Sequence, residues 1–198
     1  MSNEFNDNIV IIEKPDNISY EQIQATIHSA HDSNKKKGLN YRTADLTAEE
    51  LEKELGKNSV CYVAMDGDNV AGTITAQYKR KKKAGLSVNY ACIGYLGVSP
   101  DYKGHHLADR LLDRCIKDIE DRGVKFMYGS TAEKNEIIYH MLTKRGFVKT
   151  KYFKTRENNF YSVIYLKTPF NSKPVNGMIG IYYNRERKKV RNRHKLDD

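Results

Sequence analysis

Leu96-Gly97-Val98-Ser99-Pro100-Asp101-Tyr102-Lys103-Gly104-His105-His106-Leu107-Ala108 is the stretch on which the fold turns. An apolar strand running from Tyr90 to Val98 stops at Pro100, because proline cannot donate to a sheet ladder. Gly104 permits a tight loop, and an amphipathic helix follows at once, from about Gly104 to Arg122. Leu107, Leu111, Leu112, Cys115, Ile116 and Ile119 fall on one face of it, with Asp109, Arg110, Asp113, Arg114, Lys117 and Asp118 on the other. The first turn of any helix leaves backbone N–H groups without partners at the positive end of the dipole. A phosphate group fits there without a dedicated side chain, and Lys103, His105 and His106 add charge or donors.

Working towards the N-terminus, Asp66-Gly67-Asp68-Asn69 reads as a hairpin turn between strands Val60–Met65 and Val70–Tyr78. The run Lys79-Arg80-Lys81-Lys82-Lys83 then reads as a loop. Two helices precede the hairpin. In the first, Ser19 and Gln22 form a capping box and Ile18 with Ile23 a hydrophobic staple. The second repeats the device at Thr47 and Glu50 and ends at Gly56. Towards the C-terminus, Gly123 closes the long helix and Lys125 to Ser130 makes a short strand. A helix covers about Glu133 to Lys144, and Phe147–Thr155 pairs with Phe160–Lys167. The order predicts an α+β class with a mostly antiparallel central sheet flanked by helices.

The chain has 198 residues, 39% hydrophobic and 30% charged, a balance that suits a folded domain with an extension rather than a disordered chain. No apolar run is long enough to cross a bilayer, and Met1 to Phe5 lacks the pattern of a secretory signal. Cys61, Cys92 and Cys115 are scattered, with no metal-ligand spacing. Such sparse thiols favour a reducing, cytoplasmic setting, and each reads as a small buried apolar residue. The net charge of +9 gathers in 79–83 and in a tail where Lys173, Arg185, Arg187, Lys188, Lys189, Arg191, Arg193 and Lys195 outnumber Glu186, Asp197 and Asp198. Such clusters suit polyanions, or are simply solvated.

The stretch from Val98 to Ala108 resembles the cofactor motif of the GNAT superfamily of N-acetyltransferases, V-x-P-x-x-R-G-x-G-x-G/A. Val98, Pro100, Lys103, Gly104 and Ala108 fall at its spacing. Asn135 to Phe147 resembles the family's N-x-x-A-x-x-L-Y-x-K-x-G-F helix, with Asn135, Lys144, Gly146 and Phe147 in register. Two motifs at the right separation are far more specific than either alone. The resemblance covers roughly 18–168, so it implies a GNAT-like domain over 1–168 and a basic extension over 169–198. It implies a splayed sheet in which Leu96, Gly97 and Val98 lend backbone groups to the pantetheine arm of acetyl-CoA. Lys103, Gly104, His105, His106, Leu107 and Ala108 would wrap its pyrophosphate, and Asn135 would contact it from the second helix. An acceptor amine would attack the thioester directly, aided by proximity and backbone donors.

Three positions depart from the pattern. His106 replaces the middle glycine; with the flanking pattern intact, the loop is expected to tolerate a side chain that can itself donate to phosphate. Leu142 replaces the tyrosine that many members use to protonate the leaving thiolate. Tyr139, one turn earlier, is the candidate in its place, or else an ordinary half-buried tyrosine; His140 is a further candidate whose facing is undetermined. Cys92 stands where some members carry a glutamate base, either as a packed apolar residue or as an acyl-accepting nucleophile. The cationic clusters favour a small anionic amine as acceptor. The alternative is a catalytically weak module binding nucleic acid, with Tyr182, Tyr183, Asn184 and Arg185 contacting phosphate and base. Met178 to Tyr183 also reads as a β-capable run able to pair with a sheet edge in a homodimer.

Overall fold

The computed structural model describes residues 8–56, 58–83, 85–170 and 173–194. The N-terminal reading of Met1 to Phe5, and Lys195, Asp197 and Asp198 of the basic tail, lie outside the described residues. The elements are β1 (Val10–Glu13), α1 (Tyr20–Lys36), α2 (Ala48–Leu55), β2 (Ser59–Asp66), β3 (Asn69–Lys83), β4 (Leu86–Val98), α3 (Leu107–Asp121), β5 (Phe126–Ala132), α4 (Glu136–Thr143), β6 (Val148–Lys154), β7 (Tyr161–Lys167) and α5 (Lys173–His194). The strands follow one another as β1-β2-β3-β4-β5-β7-β6, so a seven-stranded sheet carries the α+β class expected. The chain divides into two compact units, one of residues up to Tyr78 with Ile93–Gly123, the other of Lys79–Cys92 with the residues from Val124 on.

In the first unit, β1 pairs antiparallel with β2, and β2 with β3 across the turn at Asp66 and Asn69. α1 and α2 start where the capping boxes predict. Ser19 N donates to Gln22 Oε1 at 2.9 Å, and Glu50 N to Thr47 Oγ1 at 3.1 Å. The staple residues Ile18 and Ile23 are buried together with Ile27, Leu46, Leu51, Leu55 and Val63 in one cluster. α3 buries the six residues that its periodicity selects, Leu107, Leu111, Leu112, Cys115, Ile116 and Ile119. Each buried Leu or Ile contributes about 1.5–3 kcal/mol, so this face holds the helix. Two glycines let it and α1 come close to the sheet. A Cβ on Gly72 would stand 2.9 Å from Leu111 Cδ1, and one on Gly97 3.1 Å from Ala30 Cβ.

In the second unit, β5 and β6 both pair antiparallel with β7. Tyr152, buried on β6, stacks on Tyr161 with centroids 5.0 Å apart and receives the edge of Tyr183 from α5 at 6.3 Å. Arg187 and Arg191 of α5 bond the Glu133 carboxylate at 2.6 and 2.8 Å. Burial pushes the Glu133 carboxyl up, but hydrogen bonds from Arg191 and Tyr152 outweigh it and hold the group below its ordinary value. Burial also pushes the Tyr183 phenol up to about 12.

Three expectations are corrected, and one strand was not foreseen. The run 79–83 is not a loop: β3 continues through it to Lys83, and β4 begins at Leu86, because lysine and arginine on a solvated strand leave the backbone free to pair. Met178 to Tyr183 is helical within α5. Its placement of Tyr183, Arg187 and Arg191 four residues apart against Tyr152 and Glu133 overrides the β-propensity of Ile and Tyr. The long helix begins at Leu107 rather than near Gly104, since Gly104 and His106 both take left-handed backbone. β1, which no sequence signal marked, pairs Val10–Glu13 with Tyr62–Met65.

Candidate active site

The loop between β4 and α3 is built by local hydrogen bonds. Ser99 N donates to Ala71 O at 2.9 Å, which fixes the end of β4 against β3. Pro100–Tyr102 forms a short 3-10 turn closed by Lys103 N to Pro100 O at 3.2 Å. The Tyr102 hydroxyl donates to Asp66 Oδ2 at 2.8 Å, tying the loop to the β2–β3 turn. Lys103 Nζ donates to Ala30 O at 3.1 Å and to Ser33 Oγ at 3.2 Å, so the ammonium rests on the C-terminal part of α1.

After these anchors the backbone turns left-handed at Gly104 (φ 85) and again at His106 (φ 58). Histidine is among the side chains that adopt this region more readily than most, which is how it stands in a glycine's place. No side chain caps α3. The first helical bond runs from Arg110 N to His106 O at 3.0 Å, and Asp109 is the only acid in the first turn. Lys103, Gly104 and His106 are exposed, while Leu107 is buried and roots the helix. An uncapped, positive helix end behind an exposed loop can hold an anion.

Just upstream, β4 breaks its regular conformation at Tyr95, which has φ 53. A bulky residue in that region is a true outlier and marks a built feature. The Tyr95 hydroxyl bonds Glu54, whose carboxylate also binds Arg42. The Arg42 hydrogen bond and that from Tyr95 hold the Glu54 carboxyl below its ordinary value, against the effect of burial. Leu96 follows this break, half-buried, and Gly97 and Val98 are buried, Gly97 against α1. Sequence reasoning missed both Tyr95 and Tyr102. No propensity signals a left-handed tyrosine in a strand, and the tie from Tyr102 to Asp66 spans 36 residues.

His31, near the anchor of Lys103, has Thr43 Oγ1 3.1 Å from Nε2 and Asn34 Nδ2 3.0 Å from Nδ1. Burial, with His28, Lys103 and Lys35 adding to it, pushes its pKa down to about 4.

The other candidates lie in the second unit. Asn135 is the N-cap of α4: its Oδ1 accepts from Ile138 N at 3.3 Å. Tyr139 is half-buried, its ring 6.2 Å from that of Tyr165, with Lys149 Nζ 4.1 Å over its centroid. His140 is exposed, and Leu142 is buried. Cys92 is half-buried; burial pushes its thiol up against the lowering effects of Tyr128 and Lys79. A raised thiol is the wrong poise for a nucleophile. Among the described residues no group of His, Cys, Asp and Glu could hold a metal, and no helix is long and apolar enough to cross a membrane.

A sequence model described as the acetyltransferase (GNAT) family matches residues 25–147, which runs from within α1 through α4 and includes the whole loop. The chain belongs to the GNAT acetyltransferase family. No curated protein matches it significantly. Among solved structures, a GNAT-family acetyltransferase from Staphylococcus aureus Mu50 aligns with TM-score 0.61 at 19% identity, over 81% of this chain and 98% of that one. The ribosomal-protein-S18-alanine N-acetyltransferase of Escherichia coli aligns with TM-score 0.61 at 15% identity, over 81% and 93%. The NatC complex bound to Gag peptide and CoA contains a chain that aligns with TM-score 0.57 at 15% identity, over 81% and 98%. At these identities the likeness is one of fold. The family match makes this GNAT protein an N-acetyltransferase.

Proposed function

We propose that this GNAT enzyme takes acetyl-CoA as donor and transfers the acetyl group to the amine of a small anionic acceptor by direct attack in a ternary complex. The observation that carries the cofactor reading is the start of α3. It has left-handed Gly104 and His106, no side-chain cap, and an exposed loop fixed by Tyr102 and Lys103. That donor set fits a pyrophosphate: backbone N–H groups of the first turn of α3 would meet an anion at the positive helix end, with the Lys103 ammonium held nearby on α1. When bound, acetyl-CoA supplies the activated acetyl thioester.

This chain's own groups then hold and orient. The left-handed break at Tyr95, braced by Glu54 and Arg42, sets the direction of the Leu96 backbone. Backbone groups of Leu96 and Val98 are the candidates for the pantetheine arm, and Gly97 lets α1 seat closely behind them. Tyr139 Oη is the candidate proton donor to the departing thiolate, its ring steadied by the Lys149 ammonium. Asn135 serves by capping α4, the helix that carries Tyr139. We assign Cys92 no chemical step. An anionic acceptor is favoured by the net charge of +9, which would repel a polyamine.

Calorimetric titration of acetyl-CoA tests the cofactor. One site per chain is expected, lost in Gly104→Trp, whose side chain at positive φ would fill the loop; unchanged binding in that variant overturns the placement. Turnover against a panel of anionic and cationic amines tests the acceptor, and a clear preference for polyamines would overturn that part.

A further inference from the structure

The ends of β3 and β4 beyond Tyr78 and before Cys92 have no part in that chemistry. Lys79, Arg80, Lys81 and Lys82 follow one another on β3, and all four are exposed. On β4, Ser87, Val88 and Asn89 are exposed as well. Successive side chains of a strand point to opposite sides, so consecutive exposure means that both faces of this ribbon stand in water. Lys79 and Lys81 lie on one face, Arg80 and Lys82 on the other. From Lys79 to Cys92 the sequence holds no Asp or Glu. Arg80 Nε donates to Ser87 Oγ at 2.5 Å, which steadies the guanidinium across the ribbon and uses one of its five donors.

A cationic ribbon open on both faces selects among polyanions by shape. A flat anionic lipid surface meets one face and leaves the cations of the other in water. The major groove of a B-form duplex is about 12 Å wide and admits a two-stranded β-ribbon, with phosphates along both walls. The major groove of A-form RNA is too deep and narrow for that. Lysines on flexible stems contact phosphate and carry no base selection. We propose that the β3–β4 ribbon carrying Lys79–Lys82 is a docking arm for double-stranded DNA, gripping phosphates with both faces and independent of base sequence.

The test is fluorescence anisotropy of a labelled DNA duplex with the full chain, from 50 to 200 mM salt. Two double variants each remove one face: Lys79→Ser with Lys81→Ser, and Arg80→Ser with Lys82→Ser. If each face neutralises two phosphates, each variant lowers the slope of log K against log salt by about 1.8. The loss of affinity across that salt range then shrinks by about 12-fold in each. Charge-keeping Lys79→Arg with Lys81→Arg restores the slope. A change in only one of the two serine variants overturns the groove geometry, as does binding to phosphatidylserine vesicles or RNA duplex as tight as to DNA. No change in either variant overturns the arm altogether. Acetyl-CoA titration of the same variants stays at the parent value and reports that they fold. Its failure in the parent chain would strike the cofactor reading and leave the DNA result standing.

Discussion

α3 begins differently from α1, α2 and α4. α1 and α2 each open on a full capping box, with Ser19 and Gln22 at one and Thr47 and Glu50 at the other. α4 opens on Asn135, whose side chain accepts from Ile138 N. α3 opens on a left-handed histidine whose side chain caps nothing. Capping contributes about 1 kcal/mol to a helix, so three helices use it for stability. α3 forgoes it and is held by its buried face instead. The contrast teaches that an uncapped helix start, in a chain that caps α1, α2 and α4, is where an anion is expected.

The largest effect should come from the face that replaces the cap. Leu111 is fully buried, with its Cδ1 2.9 Å from where a Cβ on Gly72 would stand. Leu111→Ala should lower stability by about 2–5 kcal/mol in urea unfolding. A loss below 1 kcal/mol would mean that α3 is anchored elsewhere, and the contrast with the capped helices would weaken. Next comes His106→Asp, which places a carboxylate beside the first turn. Its interaction with the helix dipole should add about 0.3–1 kcal/mol to stability. The same charge should repel pyrophosphate and weaken acetyl-CoA about tenfold or more. Opposite signs in the two measurements are the expected signature, and a parallel change would break the assignment.

Much of this was legible in the sequence, and for a physical reason. Capping boxes, the apolar stripe of α3 and the proline that ends β4 are local patterns, set within one or two turns of chain. The candidate cofactor loop was legible for the same reason, since Pro100, Lys103 and Gly104 act where they stand. What escaped depends on partners far along the chain. α5 is helical because Arg187 and Arg191 reach Glu133, and Arg191 lies 58 residues from it. The run at Lys79 extends a strand because a second strand starts at Leu86 to pair with it. The left-handed Tyr95 is braced by Glu54, 41 residues away, and no local rule points to it.

The caps themselves give a smaller effect. Ser19→Ala and Thr47→Ala should each cost about 1 kcal/mol in thermal or urea unfolding while leaving the acetyl-CoA affinity within twofold. A cap variant that changed affinity as strongly as His106→Asp would erase the distinction between structural and ligand-facing helix starts.

The smallest effect expected is that of His106→Gly, and it separates two ways in which the loop can hold phosphate. Glycine relieves the left-handed strain that histidine bears at φ 58, but adds backbone freedom to the unfolded chain. These terms oppose each other, so stability should change by less than about 1 kcal/mol. If the backbone N–H groups do the holding, affinity for acetyl-CoA stays within about threefold of the parent or rises, since the loop can then approach the anion more closely. If the imidazole is itself a phosphate donor, losing it removes a charge-assisted bond and affinity falls about tenfold or more. The exposed side chain and its 3.8 Å distance to Asp109 Oδ2 favour the first outcome, because the ring is drawn to its own helix rather than presented as a free donor.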